Sequence, residues 1–413
     1  MRTLVFAGGI LGIIGLMEWV IFKSFRRWIR QVHPDTSTRW QWMLFLSVMS
    51  GNGLIFLRFV FRHIGGYQHP IVHFINYGAG LFIMGVLFAF LSIIIARFLT
   101  LLLRSGFKRI RKKPGGEHKG AVEPFDPGRR KFLKLSGYAL AGVSVGTPVI
   151  GALSTSPEYH VFKVPLFFEN LPPAFDGLTI AQVSDIHAGP FISEKNIREI
   201  FEIVNSLTPD LIVLTGDFVD SSDVEIPAIY RTVGVLKADL GVYGCLGNHD
   251  HYATSEKVNA ALRERNVTML NNANRIFQIG RDKLVLAGID DAGSGFAHHS
   301  DFHKAAAGLS QDDFKILLSH RPAIFPLARR FGFDLTLSGH THGGQIGINL
   351  LGVEINPIAM LQKYDKGLFE EGGKKLYVNV GVGMAGVPIR LVPREISLFT
   401  LHTNPSPDIR LPS

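Results

Sequence analysis

Five short polar motifs in the C-terminal two-thirds of this chain each sit where an apolar, β-rich run stops. The runs are Leu178–Val183, Asp210–Leu214, Gly241–Leu246, Phe314–Leu318 and Asp334–Leu337. They lead, in order, into Asp185-Ile-His187, Gly216-Asp217, Gly247-Asn248-His249-Asp250, Ser319-His320 and Gly339-His340-Thr341-His342-Gly343-Gly344-Gln345. A fold that accommodates all five has to bring five strand ends together, along one edge of a sheet.

The motifs supply carboxylates, imidazoles and one amide. Such donors suit a divalent ion of Mn, Fe, Zn, Co or Ni. The only cysteine is Cys245, which excludes a structural zinc site built from thiolates. Two metals roughly 3.5–4 Å apart can clamp a phosphoryl oxygen. A pair of that kind needs a bridging carboxylate, and Asp217, at the tip of its strand, is the natural candidate. Asp185 and His187 are two apart, so in an extended segment they point the same way. The same holds for His340 and His342, whose glycine flanks permit close approach. Taken singly, His320 reads as a core histidine and Asp217 as a turn residue. In sequence, the five point to a two-metal site for a phosphorylated substrate.

From about Leu171 to Leu401 the chain resembles the calcineurin-like metallophosphoesterase superfamily. The pattern Asp-x-His, Gly-Asp, Gly-Asn-His-Asp, His, Gly-His-x-His is present without a gap. Leu171–Leu178, Leu337–Gln345 and Val387-Pro-Ile-Arg390 are similar to the bacterial branch around the YkuE and YaeI phosphodiesterases, some of them membrane-anchored. The resemblance implies one metal held by Asp185, His187, Asp217 and His342. It implies a second held by Asp217, Asn248, His320 and His340. His249 is then left to protonate the leaving oxygen or stabilise its charge, with Asp250 orienting that imidazole. The reaction implied is hydrolysis of a phosphodiester or phosphoanhydride by metal-activated hydroxide. Arg321-Pro322-Ala323 departs from relatives that carry Asp after the Pro, which touches no ligand. Arg390 is a candidate either for a phosphate contact or for a structural salt bridge.

The N-terminal part is of another kind. Leu4–Phe22, Trp42–Phe61 and Tyr77–Leu103 are apolar runs, each long enough for about 30 Å of hydrocarbon. Leu135–Leu153, rich in Gly, Ala and Ser, is a weaker fourth. Arg58 and Arg97 lie close enough to span ends to snorkel. Residues 1–153 hold 20 Lys and Arg against 5 Asp and Glu, and residues 154–413 hold 23 against 29. The net charge of +9 therefore belongs to the anchor, and nucleic-acid binding is not implied. Basic residues gather at Lys23–Arg30 and from Arg104 to Lys134, while the loop near Arg62–Pro70 is poorer in them. The positive-inside rule puts both rich segments in the cytoplasm. Four spans then place the chain in the cell (inner) membrane as a multi-pass protein, its catalytic domain outside. Arg129-Arg130-Lys131-Phe132-Leu133-Lys134 resembles a twin-arginine export signal.

The expected organisation is a membrane domain over 1–103 with three transmembrane helices and a basic cytoplasmic linker over 104–134. A fourth transmembrane helix follows over 135–153, then a catalytic domain over 154–413. Helical spacing marks Glu194–Leu207 and Glu256–Arg265. Arg275–Ile279, Lys283–Ile289, Leu376–Val380 and Ile396–Leu401 read as strands. The fold class is α/β, a sandwich of two mixed sheets flanked by helices, preceded by about four transmembrane helices. The leading function is a membrane-anchored phosphoesterase with two divalent metals, acting on a phosphorylated small molecule or lipid. One rival is a cytoplasm-facing pyrophosphatase of the UDP-diacylglucosamine type. Another is a sensor or scaffold without catalysis, which lost ligands would favour.

Overall fold

A computed structural model describes residues 2–64, 69–110, 158–293, 300–346, 348–350, 353–356 and 362–403, with a few isolated positions besides. The chain divides into two compact units, Met1–Phe59 with Phe74–Leu153, and Val60–His73 with Ser154–Ser413.

The first unit contains the helix α1 (Arg2–Val32) and most of α2 (Ser37–Ile64) and α3 (Pro70–Ile110). Within it, Asn52 on α2 donates to the Glu18 carboxylate on α1 at 3.1 Å, and Arg97 on α3 donates to Ser24 Oγ at 2.8 Å. Among the described residues, two helices are long and apolar enough to cross a membrane, at Ser37–Phe61 and Ile71–Phe98. Four were expected. The first expected span, Leu4–Phe22, lies within α1. Part of that stretch falls outside the residues whose side chains are described. The expected fourth span, Leu135–Leu153, lies outside the described residues apart from isolated positions. The linker Arg111–Gly128 and the twin-arginine motif lie outside them as well.

The second unit is built on two six-stranded sheets. Its strands are β1 (Tyr159–Phe167), β2 (Thr179–Val183), β3 (Leu211–Thr215), β4 (Val242–Cys245), β5 (Val267–Met269), β6 (Ala273–Ile279) and β7 (Asp282–Gly288). They continue with β8 (Phe314–Leu318), β9 (Leu335–Ser338), β10 (Ile348–Leu350), β11 (Val353–Ile355), β12 (Gly367–Glu371), β13 (Lys374–Val378) and β14 (Arg394–His402). One sheet has the order β1-β14-β2-β3-β4-β5, the other β12-β13-β9-β8-β7-β6, and β10-β11 form a separate ribbon. Both sheets are mixed. β2, β3, β4 and β5 run parallel, with β14 antiparallel to β2. In the second sheet β7, β8, β9 and β13 run parallel, with β6 and β12 antiparallel at the edges.

Alternation along the strands explains the layering. On β3, Leu211 and Val213 face the core between the sheets, whereas Ile212 and Leu214 face helices on the outer side. On β8, Phe314, Ile316 and Leu318 point inward and Leu317 outward. A strand apolar on both faces has to be covered on both faces. Three helices cover the first sheet: α4 (Glu194–Ser206), α5 (Ile226–Val233) and, beyond the short α6 (Asn248–Tyr252), α7 (Ser255–Arg263). α4 buries Ile197, Ile200, Phe201 and Val204, one face at helical spacing. Its start is fixed by a capping box in which Ser193 and Asn196 exchange side-chain to backbone hydrogen bonds. On the outer face of the second sheet, α8 (Phe302–Ala305) and α9 (Phe325–Arg330) contribute Phe302, Ala305 and Ala328 to the core there.

The five motif-bearing runs are β2, β3, β4, β8 and β9. Each motif follows the C-terminal end of its strand, and all five strands lie beside another of the set in a parallel ladder. The strand ends belong to two sheets, three in one and two in the other, and not to one sheet edge as expected. The core between the sheets explains this, because it holds the two C-terminal edges side by side.

Candidate metal centre

The site is stitched from the loops that leave these strands. Asp185 N donates to Gly216 O at 3.1 Å and His187 N to Asp217 O at 3.0 Å, which joins the loops after β2 and β3. Gly339 N donates to His320 O at 3.0 Å, which joins those after β8 and β9. The two sheets meet where His340 N donates to the Asp185 carboxylate at 3.0 Å. A Cβ at Gly339 would collide with that carboxylate, and one at Gly247 with Asp217 Oδ1. Glycine is what allows the backbones to come this close.

Strain concentrates here. Nine non-glycine residues have left-handed backbone among those described, and five of them are Asp185, His187, Asp217, His340 and His342. Asp and His tolerate that region better than most residues, yet each pays for it.

The donor atoms fall into two groups that share one oxygen. In the first, His187 Nε2 lies 3.0 Å from His342 Nε2, and His342 Nε2 lies 3.4 Å from Asp185 Oδ1. In the second, His320 Nε2 lies 3.2 Å from His340 Nδ1. Asp217 Oδ2 is 3.6 Å from His187 Nε2 and 3.0 Å from His320 Nε2, so it belongs to both. Donors about 2.0–2.2 Å from one ion stand roughly 3–3.5 Å apart, which is the spacing seen here. His187, Asp217 and His249 form a third close set.

Two further observations fit a metal. Asn248 is buried, and its Oδ1 has no hydrogen-bond partner among the described residues. An unmet buried acceptor costs about 1–3 kcal/mol, and a bound cation would meet it. His320 Nδ1 lies 2.8 Å from Thr215 O, which turns Nε2 towards Asp217 and His340.

Electrostatics agree. Burial alone would raise the Asp217 carboxyl, but the imidazoles of His320, His249 and His187 outweigh it and hold the group well below the usual carboxylate range. Burial opposes charge on His320, yet Asp217 beside it pushes that imidazole up to about 10. The pocket thus draws positive charge to Asp217. His340 and His342 are held neutral, well below the ordinary histidine value. Burial is the main cause, followed by His320 and Arg321 for the first and by His187 and Arg390 for the second. A neutral imidazole is the form that can ligate.

Two expected roles differ from the structure. Asp250 does not orient the His249 ring. Its Oδ2 accepts from Asp217 N at 3.0 Å and Gly247 N at 2.9 Å, and its Oδ1 from Phe218 N at 2.9 Å and Val219 N at 3.3 Å. Four amides in two loops otherwise have no strand partner, and the carboxylate answers them. Burial and the charge of Asp217 push Asp250 up to about 7, against the pull of those amides. His249 Nδ1 instead meets the backbone carbonyl of Asp220. Arg390 is buried, which removes it from any phosphate contact. Its guanidinium donates to Gly383 O and Val380 O at 2.6 Å each and to Gly381 O at 2.9 Å, with Nε donating to Val392 O at 3.0 Å. A loop rich in unpaired carbonyls is what five guanidinium donors suit. Burial and Arg394 lower this group to about 9.

Four residues near the site went unread in the sequence. Asp220 places its carbonyl on His249 and its carboxylate 3.6 Å from His187 Nδ1. Tyr252 is exposed, with its ring centroid 4.9 Å from that of His249. Arg321 lies with NH1 3.1 Å from His340 Nε2, and Asp291 accepts from Arg321 Nε at 2.7 Å. The Asp in Gly216-Asp-Phe-Val-Asp220 and the Arg directly after His320 were the available signals. Gln345, the last residue of its motif, ties down the neighbouring loop by accepting from Ala385 N at 3.0 Å and donating to Val387 O at 3.2 Å.

Residues 178–344 match the calcineurin-like phosphoesterase family. A transmembrane protein with metallophosphoesterase domain from Bos taurus is 35% identical over 294 residues, 67% of this chain and 65% of that protein. The chain thus spans just under two thirds of that relative's length. The metallophosphoesterase YkuE of Bacillus subtilis is 33% identical over 287 residues, 67% of this chain and 98% of that one. Among solved structures, a dimetal phosphatase from Danio rerio aligns at a TM-score of 0.34 and 12% identity, over 55% of this chain and 93% of that one. Since nearly the whole length of the Bacillus relative is matched, and the matched family spans all but the last loop of the site, the chain belongs to the calcineurin-like metallophosphoesterase family.

Proposed function

We propose that the chain is a membrane-anchored phosphoesterase with two divalent metals that hydrolyses a phosphodiester or phosphoanhydride. The observation that carries this reading is the position of Asp217 Oδ2, shared by the His187 and His320 donor groups. Asp185, His187, Asp217 and His342 would hold one ion, and Asp217, Asn248, His320 and His340 the other. When bound, the ions supply Lewis acidity at the phosphoryl group and activation of the attacking water.

The remaining steps belong to this chain's own side chains. His249 is the proposed acid. Its Nδ1 is engaged by the Asp220 carbonyl, so Nε2 is the atom free to carry a proton to the leaving oxygen. The His249 N–H donates to Asp217 Oδ1 at 2.8 Å, which locks the imidazole's backbone to the proposed bridging carboxylate. Arg321, held by Asp291, backs His340 and fixes that ring. Tyr252 beside His249 offers an aromatic wall at the mouth of the site.

The proposed setting is the cell membrane, with the catalytic unit outside the cytoplasm. The two apolar helices and the charge contrast between residues 1–153 and 154–413 support the membrane setting, while the outward placement rests on Leu135–Leu153 as a further span. The relative from Bos taurus carries both descriptions, transmembrane and metallophosphoesterase, in its name.

The test is hydrolysis by the purified full-length chain, supplied with Mn²⁺, Zn²⁺ or Fe²⁺, across a phosphodiester, a phosphomonoester and a lipid pyrophosphate. Metal-dependent turnover of the diester or the pyrophosphate is expected. Turnover of the monoester alone would contradict the substrate class.

A further inference from the structure

The membrane unit contains a cationic cavity that the hydrolase chemistry does not use. It has a volume of about 210 Å³ and is lined by Trp19, Val20, Lys23 and Arg27 of α1 and by Arg97 of α3. A water occupies roughly 30 Å³ in the liquid, so the space admits a phosphate ester group. Three cationic side chains converge on it. Lys23 Nζ lies 4.7 Å from the centroid of the Trp19 ring, and Arg97 is steadied by its hydrogen bond to Ser24. Among the described residues, no carboxylate pairs with any of the three. Glu18, the acid nearest in sequence, is engaged by Asn52 of α2.

The cavity's depth narrows what can fill it. Arg97 is next to last in the apolar stretch Ile71–Phe98, so its guanidinium sits where hydrocarbon gives way to headgroups. Trp19 is the kind of residue that settles at that level. One turn further into the apolar stretches, Leu16 on α1 and Ile94 on α3 are exposed, as is Phe98 beside Arg97. Cations at the span end with apolar surface directly below match a molecule with a charged head and a hydrocarbon tail. Basic pockets between membrane helices are suited to such headgroups.

We propose that Lys23, Arg27 and Arg97 form a binding site for the phosphate headgroup of an anionic phospholipid. Phosphate is the shared chemistry of two sources, the lipid and free inorganic phosphate, and the apolar surface below the cations favours the lipid. The proposal is independent of the catalytic reading.

The experiment uses the full-length chain in detergent. Thermal stability is measured with short-chain phosphatidylglycerol, short-chain phosphatidylcholine or inorganic phosphate added, and retained lipid is counted by native mass spectrometry. Phosphatidylglycerol is expected to stabilise the protein and remain bound, with half-saturation at least about tenfold lower than for phosphatidylcholine. The triple variant Lys23→Gln, Arg27→Gln, Arg97→Gln should lose that preference. The double variant Arg26→Gln, Arg30→Gln, which changes charge on the same helix outside the cavity, should keep it. A cooperative melt without added lipid reports whether each variant is folded. Equal loss in both variants would reduce the effect to overall charge and overturn the site. Saturation by inorganic phosphate at the same concentration as by phosphatidylglycerol would overturn the lipid assignment. If the triple variant proves unfolded, Arg97→Gln alone decides, and an unchanged lipid preference there refutes the proposal.

Discussion

His249 and Asp250 are neighbours in sequence, and the structure gives them separate work. His249 presents an imidazole whose Nδ1 is taken by a carbonyl, while Asp250 is buried under four amide donors. His249→Ala should therefore keep metal content and fold while the rate falls about 10²–10⁴-fold, the usual range for an acid–base group. Asp250→Ala should behave differently, because it strands several buried N–H groups at about 1–3 kcal/mol each. It is expected to lower the melting temperature and release metal together. Elemental analysis with thermal denaturation separates the two, and metal loss from His249→Ala would assign that ring to the ligand set. The contrast also marks what was legible at this scale. Asp, Asn and His at glycine-flanked strand ends announce themselves, because few structural needs put them there. The partner of a carboxylate is harder to read when that partner is backbone. Asp250 and Arg390 were misread for this reason, since both answer loop amides or carbonyls that leave no mark in the residue types.

Among elements, the strands carrying motifs were readable from apolar runs, and Phe314–Leu318 was placed residue for residue. β1 was not, because Pro165 interrupts it and half-exposed residues blur its alternation. β5, only three residues long, is made by pairing with β4 and has no pattern of its own. Motif residues on α6 were expected in a loop, yet Asn248 opens a one-turn helix whose N–H groups face Asp250 and Asp217. Elements also differ in their response to pH. On β14, Glu395 is buried and accepts from Tyr377 Oη and Ser397 Oγ at 2.6 Å each and from Val380 N at 3.2 Å. Burial raises its carboxyl above the ordinary 4.5. The folded chain then holds this proton more tightly than the unfolded one. Its contribution to stability is complete below about pH 4.5 and is lost as pH rises through the raised value. Glu395→Gln should flatten that decline. Thermal melts across the window above pH 4.5 check it, and an unchanged slope would show that another group titrates there.

For the molecule as a whole, the division into a basic apolar part and an acidic catalytic part was plain from charge and hydropathy. The number of spans was not. The first run falls partly outside the residues whose side chains are described, and Leu135–Leu153 is too rich in Gly, Ala and Ser to announce itself as a span. The proposed topology puts the C-terminus outside the cytoplasm, and it predicts that alkaline phosphatase fused after Ser413 is active while a cytoplasmic reporter there is silent. The reverse pattern would turn the catalytic unit inward and favour a cytoplasmic, nucleotide-linked lipid substrate. Replacing Arg129 and Arg130 together by Lys is expected to impair localisation if the pair is an export signal. A cluster acting only by charge would tolerate Lys.

The central claim is that Asp217 joins two metal sites. Its most direct test is metal per chain in the purified full-length protein and in Asp217→Asn, loaded identically and measured by elemental analysis. The native chain should hold about two ions. Asp217→Asn should hold one or fewer and lose hydrolysis, while its melting curve without metal still shows a folded protein. Two ions and full activity in Asp217→Asn would contradict the account.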